Sequence, residues 1–119
     1  MLKKALCTLM ALSGLTAAVY AYSYDTNLPL PGNSIADTKL QENSLFTVYM
    51  FAHRFAAPSC RDFSIIDTKI SSEKVDNKWQ EIWSVKACSK TAEIPINFEL
   101  KEKGATYAVV PMGVKVTEK

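Results

Sequence analysis

From Thr91 to Lys101 the chain alternates without a break. Ala92, Ile94, Ile96, Phe98 and Leu100 fall on one side, and Thr91, Glu93, Pro95, Asn97, Glu99 and Lys101 on the other. A period of two over this length is the pattern of a strand with one face buried and one face wet. A helix would scatter the same apolar residues around its whole circumference. The preceding run, Trp79 to Cys88, has the same period, with Trp79, Glu81, Trp83, Val85 and Ala87 on one face. Two such runs separated by Ser89 and Lys90 predict an antiparallel hairpin. In that register Val85 meets Ile94, Trp83 meets Ile96, Glu81 meets Phe98 and Trp79 meets Leu100. The apolar faces then coincide, which ties the pairing to burial.

The flanking segments extend this sheet. Phe63, Ile65, Ile66 and Ile70 among Ser, Thr and Asp predict a strand over 61–72. The polar stretch Ser71 to Lys78, with Asp76 and Asn77, reads as a turn region. A hairpin centred near residue 74 sets Cys60 opposite Cys88 and Phe63 opposite Val85. Gly104 marks the next turn, and 106–110 forms a fourth strand. Pro111 and Gly113 interrupt it, and Val114 to Val116 continues along an edge. Upstream, Leu45, Val48, Tyr49, Ala52, Phe55 and Ala56 recur at helical spacing, with Phe46, Met50 and Phe51 widening the stripe. The helix is expected over 37–57, capped by Asp37 or Thr38, with Gln41 completing a capping box and Pro58 ending it. Tyr22 to Ser34 carries two prolines, a glycine and two asparagines, and reads as a flexible leader. The fold class is therefore α+β: one N-terminal helix packed on a four-stranded antiparallel meander, with one disulfide. In outline it resembles a cystatin-type half-wrapped sheet, an analogy of shape that implies no inhibition.

Residues 1–21 have a basic start, an apolar run and a small-x-Ala ending at Val19-Tyr20-Ala21. These are the parts of a secretory signal, with cleavage expected after Ala21, or alternatively after Ala18. Cys7 precedes the apolar run and follows Leu6, so it does not fit a lipidated cysteine. The single α+β domain spans 35–119. Export leaves Cys60 and Cys88, and two cysteines in a small exported domain predict one disulfide. The chain is expected in the periplasm or outside the cell, with no stable membrane insertion once the signal is removed. Of 119 residues, 14 are Lys or Arg and 12 are Asp or Glu. Lys3 and Lys4 leave with the signal, so the remaining charges balance. A balanced domain lacks the basic footprint of nucleic-acid binding.

The segment Trp79-Gln80-Glu81-Ile82-Trp83 to Ala87-Cys88-Ser89-Lys90-Thr91, followed by Ile94-Pro95-Ile96-Asn97-Phe98, resembles a group of small exported proteins of Gram-negative bacteria. That group carries a Trp-x-Glu-x-Trp strand, an Ala-Cys-x-Lys-Thr turn and a Val-Pro-Val-x-Phe-like strand. Ala57-Pro58-Ser59-Cys60 fits it too, so the resemblance covers roughly 57–98. It implies an exported domain of the cell envelope and carries no activity with it. Ser89 stands where the group's pattern has a turn glycine.

Catalytic sets are sparse. His53 is the single histidine, which disfavours a His-based metal site. No Cys-x-x-Cys, glycine-rich phosphate loop or acidic calcium loop is present. Glu81, between Trp79 and Trp83 on the apolar face, is a candidate general acid. Its other readings are a locally exposed strand, or a carboxylate paired with Lys101 or a helix residue. Trp79 and Trp83 form either a stacking platform for a ligand or part of the core under the helix. The expected function is binding to an envelope or extracellular protein, without catalysis and without a cofactor. Two alternatives stand beside it. One is an inhibitor of an envelope hydrolase that inserts the Ser71 to Lys78 loop. The other is a small-ligand site or minor enzyme built on Glu81, Trp79 and Trp83.

Overall fold

A computed structural model describes residues 22–118. The proposed signal, 1–21, lies outside the described residues. The chain runs β1 (Ser23–Tyr24), α1 (Thr38–Phe55), β2 (Asp62–Val75), β3 (Lys78–Ala87), β4 (Lys90–Lys101) and β5 (Gly104–Val109). A short 3-10 turn (Pro111–Gly113) and β6 (Lys115–Glu118) complete it. The class is α+β with one helix on a curled sheet. The sheet is wider than the expected four-stranded antiparallel meander. Strands β2 to β5 do form an antiparallel meander, but β1 adds to the edge of β2 in parallel and β6 adds to β4. Strands β5 and β6 use the same edge of β4, on Ile96–Lys101 and Lys90–Glu93 respectively. They part at Pro95, which has no N–H to give a ladder and whose carbonyl accepts from Val110 at 2.9 Å.

Helix α1 is set by its ends. Asp37 is the N-cap, its carboxylate accepting from the Leu40 N–H at 2.9 Å. Gln41 does not complete a capping box. Its side chain is buried instead, accepting from the Leu30 N–H at 2.9 Å and donating to the Ala36 carbonyl at 3.1 Å. At the far end Lys90 donates to the free Ala56 carbonyl at 3.1 Å, a cation where the helix dipole favours one. One face, Leu40, Leu45, Val48, Tyr49 and Ala52, packs into the curl of the sheet against Phe63, Ile65, Trp83, Val85, Ile94, Ile96 and Phe98. Phe46 and Met50 do not widen that buried stripe. They point outward, 62% and 65% exposed.

The registers differ from those expected; between β3 and β4 no side chain changes face, whereas β2 changes parity midway. Between β3 and β4 the two turn residues are Cys88 and Ser89, so Ala87 faces Lys90. The pairs become Val85 with Ala92, Trp83 with Ile94, Glu81 with Ile96 and Trp79 with Phe98. The slip is two residues, one full period. Its cause lies in the turn: Cys88 takes the left-handed φ of 58° that a tight hairpin needs at its first turn residue. Between β2 and β3 the strands run on to Val75 and Lys78, and the turn shrinks to Asp76 and Asn77, both left-handed. Phe63 faces Ala87 and Ile65 faces Val85. An irregularity then places Ile66 in a bulge. Beyond it the inward positions change from Phe63 and Ile65 to Thr68, and Ile66 is left exposed.

The 22–34 segment is extended, but it is not separate from the domain. Ser23 and Asp25 donate to the carbonyls of Arg61 and Phe63, and Asn33 donates to Thr68. Leu30 is buried, and the Thr68 hydroxyl donates to the Pro31 carbonyl at 2.7 Å. Gly32 has φ +95°, and a Cβ there would run into the Thr68 backbone. The segment thus covers the edge of β2 that a meander would leave open.

Candidate functional site

Glu81 sits at the centre of the apolar face of β3 and is fully buried. Its carboxylate accepts five hydrogen bonds. Oε1 takes the Ser34 hydroxyl at 2.7 Å and the Trp83 indole N–H at 2.8 Å. Oε2 takes the Trp79 indole N–H at 2.8 Å and the backbone N–H groups of Ile35 at 2.8 Å and Ala36 at 3.2 Å. The two tryptophans reach it because residues two apart on a strand share a face. Ser34 to Ala36 reach it because they lead directly into the N-cap of α1. Neither partner expected for Glu81 is used. Lys101 is 3.5 Å from Glu99 instead, and α1 itself contributes no side chain.

Five donors surround the carboxylate, and of these only the Ser34 hydroxyl can also accept. The arrangement meets both side-chain oxygens with uncharged donors and joins β3 to the segment that starts the helix. It is a clamp rather than an exposed acid.

The indoles divide in role. Trp83 is fully buried and tilted against Phe98, with ring centres 6.0 Å apart. It offers no face to a ligand. Trp79 stacks on Phe98 at 5.2 Å, and Lys74 lies over its ring at 5.8 Å. Trp79 also lines a hollow of about 470 Å³ between the start of α1 and the β4–β5 hairpin. Leu40, Leu100 and Ala105 give this hollow an apolar floor, and Lys39 and Lys74 lie in its wall. Asp37 is also in the wall, with one carboxylate oxygen committed to the Leu40 N–H. Of Trp79, Glu81 and Trp83, only Trp79, itself buried, lines a hollow, while Glu81 and Trp83 support it from behind.

Sequence reasoning missed Ser34, Lys39, Lys74 and Leu100. Lys74 lies in a stretch whose composition reads as a turn, and the others carry no signal beyond ordinary polar or strand positions. The Ser71 to Lys78 segment is not a free loop. It is paired strand with a two-residue turn, and the Leu100 N–H donates to the Asn77 carbonyl at 2.9 Å.

Cys60 and Cys88 form a disulfide with Cα atoms 5.8 Å apart. It ties the exit of α1 to the β3–β4 turn. His53 lies between the rings of Tyr22 and Phe63, at 5.2 and 5.6 Å, and its Nε2 is buried without a hydrogen-bond partner among the described residues. Tyr49 is fully buried and donates to the Asp25 carbonyl at 2.6 Å. Burial, aided by the negative charge of Asp25, pushes its phenol up to about 12. Among the described residues no helix is long and apolar enough to cross a membrane, and no three metal-ligating side chains converge. No family model, curated protein or solved structure matches the chain.

Proposed function

We propose that this chain is an exported domain of the periplasm or cell exterior that acts by binding a protein partner, without catalysing a reaction. The observation that carries this reading is the hollow beside Trp79, apolar at its floor and edged by Lys39 and Lys74. Such a site accepts one aromatic or aliphatic side chain from a partner segment, with acidic residues next to it for the lysines. Trp79 suits the wall because its N–H is already paired with Glu81, leaving an oriented ring edge with no polar demand. The same pairing weakens the catalytic alternative, since every lone-pair direction of Glu81 is taken up inside the fold. The inhibitor alternative loses its loop, because Ser71 to Lys78 is a paired ribbon.

The test is a selection of random peptides displayed on phage against the domain. Enrichment of a large apolar residue flanked by Asp or Glu is expected. Binding of the selected peptide should shift the Trp79 emission and be lost in the Lys39→Glu, Lys74→Glu double variant. Selection of no peptide, or of peptides indifferent to both lysines, would overturn the reading.

A further inference from the structure

The outer face of α1 carries a second surface, unrelated to the hollow. Glu42, Phe46, Met50 and Arg54 are spaced four residues apart and are all exposed. Residues at this spacing form a single ridge along a helix. Its two middle members are Phe46 and Met50, 62% and 65% exposed, and Phe55 beside them is 48% exposed. Its two ends carry opposite charges. Neither Glu42 nor Arg54 makes an ion pair with another described residue; Arg54 lies instead over the Phe55 ring at 5.9 Å. Next to the ridge runs a groove, opened by the row that holds Phe51 and Phe55. It includes a hollow of about 240 Å³ lined by Met50, Phe51, Arg54 and Phe55.

The order acidic, apolar, apolar, basic is self-complementary when reversed. We propose that this face pairs with the same face of a second copy of the chain, around a two-fold axis between Phe46 and Met50. In that arrangement Phe46 meets the partner's Met50 and reaches the groove beside it. Glu42 meets the partner's Arg54, and each contact occurs twice. Any two-fold axis doubles each contact; what an isologous interface requires of the patch is self-complementarity, which the reversed order of Glu42, Phe46, Met50 and Arg54 supplies. Two ridges of this spacing interdigitate when the helices cross at about 50° from antiparallel. The balanced charge of residues 22–119 removes the long-range repulsion that would keep two copies apart. A different partner protein would need no such symmetry of charge along the helix, which is why a second copy is the occupant the ridge favours.

Sedimentation equilibrium of residues 22–119, disulfide intact, tests this over a concentration series from micromolar to about millimolar. A monomer–dimer equilibrium is expected. Met50→Glu should leave a monomer. Glu42→Arg and Arg54→Glu should each raise the dissociation constant at least about tenfold, as expected when a close charge pair becomes a repulsive one. The double reversal should bring it back toward the parent value. All these positions are exposed, and unchanged tryptophan emission and thermal midpoint show that each variant is folded. A parent chain that stays monomeric throughout would overturn the proposal. So would a dimer insensitive to Met50→Glu, or charge reversals that are not rescued in combination. Attachment of a monomeric parent to phosphatidylglycerol vesicles through Phe46 and Met50 would overturn it as well. Peptide selection repeated on Met50→Glu keeps this outcome separate from that of the Trp79 hollow.

Discussion

The indole of Trp79 donates to Oε2 of Glu81 at 2.8 Å, and both side chains come from the same face of β3. Trp83 donates to the other oxygen, so one carboxylate orients two of the largest residues in the core. Glu81→Gln turns one accepting oxygen into an amide N–H₂ that faces donors. We expect a loss of about 3 kcal/mol in urea unfolding, with a changed near-ultraviolet dichroism from the displaced indoles. An unchanged unfolding midpoint would show that the clamp contributes nothing to stability.

The Cys60–Cys88 bridge spans a sequence separation of 28. The double substitution to Ser should cost about 3 kcal/mol, mostly by freeing the unfolded chain. Equilibrium unfolding of the double variant, beside the parent with and without reductant, measures it. If the reduced parent were as stable as the oxidised one, the entropic account of this loop would fail.

The phenol of Tyr49 is pushed up to about 12, first by burial and then by Asp25. In the unfolded chain a tyrosine ionises near 10. Above pH 10 the unfolded chain therefore gives up this proton before the folded chain does. The contribution of Tyr49 is complete below pH 10 and is lost as the pH rises toward 12, by roughly 2–3 kcal/mol. Urea unfolding at pH 9 and pH 11.5 should show the fall. The part that disappears in Tyr49→Phe belongs to this residue, and an equal fall in both proteins would assign it elsewhere.

His53 keeps its ring between Tyr22 and Phe63 while its Nε2 is unpaired. Phenylalanine keeps the edge-to-face contacts and removes the unpaired nitrogen. His53→Phe should be neutral or raise stability by about 1 kcal/mol in urea unfolding. A drop of the same size would show that the nitrogen makes a favourable interaction in solution.

Much of the sheet was legible because burial writes a period of two into the chain. The 91–101 pattern located β4, and the Trp79 to Ala87 face located β3. The disulfide followed from the cysteine count, while the register expected to set Cys60 opposite Cys88 lies two residues off, with Phe63 facing Ala87. The register was less legible. A slip of two residues keeps every side chain on its face, so periodicity cannot detect it, and the deciding fact was the backbone angle at Cys88. The bulge at Ile66 escaped for the opposite reason. It changes the parity of β2 midway, and Ile65 and Ile66 are equally apolar on paper. Glu81 stood out as a buried acid among indoles, yet three of its five donors come from residues 34–36, far away in sequence. Two of those are backbone N–H groups, which every residue but proline carries, so no side-chain pattern marks them. Phe46 and Met50 were assigned to the core because helical spacing alone does not say how wide the covering sheet is.

The attachment of residues 22–36 has a consequence for the order of events along the chain. Strands β2 to β5 join neighbours through two-residue turns, so their contacts close short loops. Ser23 reaches Asp62, and Ser34 reaches Glu81, only across about 40 residues or more. Closing long loops costs more chain entropy, and such contacts are the slowest to form. The meander therefore forms first; α1, whose Thr47 meets Tyr107 across 60 residues, and the N-terminal segment join it later, and the N-terminal segment detaches first. In native-state amide exchange, the N–H groups of Ser23, Asp25, Ile35 and Ala36 should lose protection together. They should do so through a partial opening well below the global unfolding free energy, while the centre of β3 exchanges only with the whole domain.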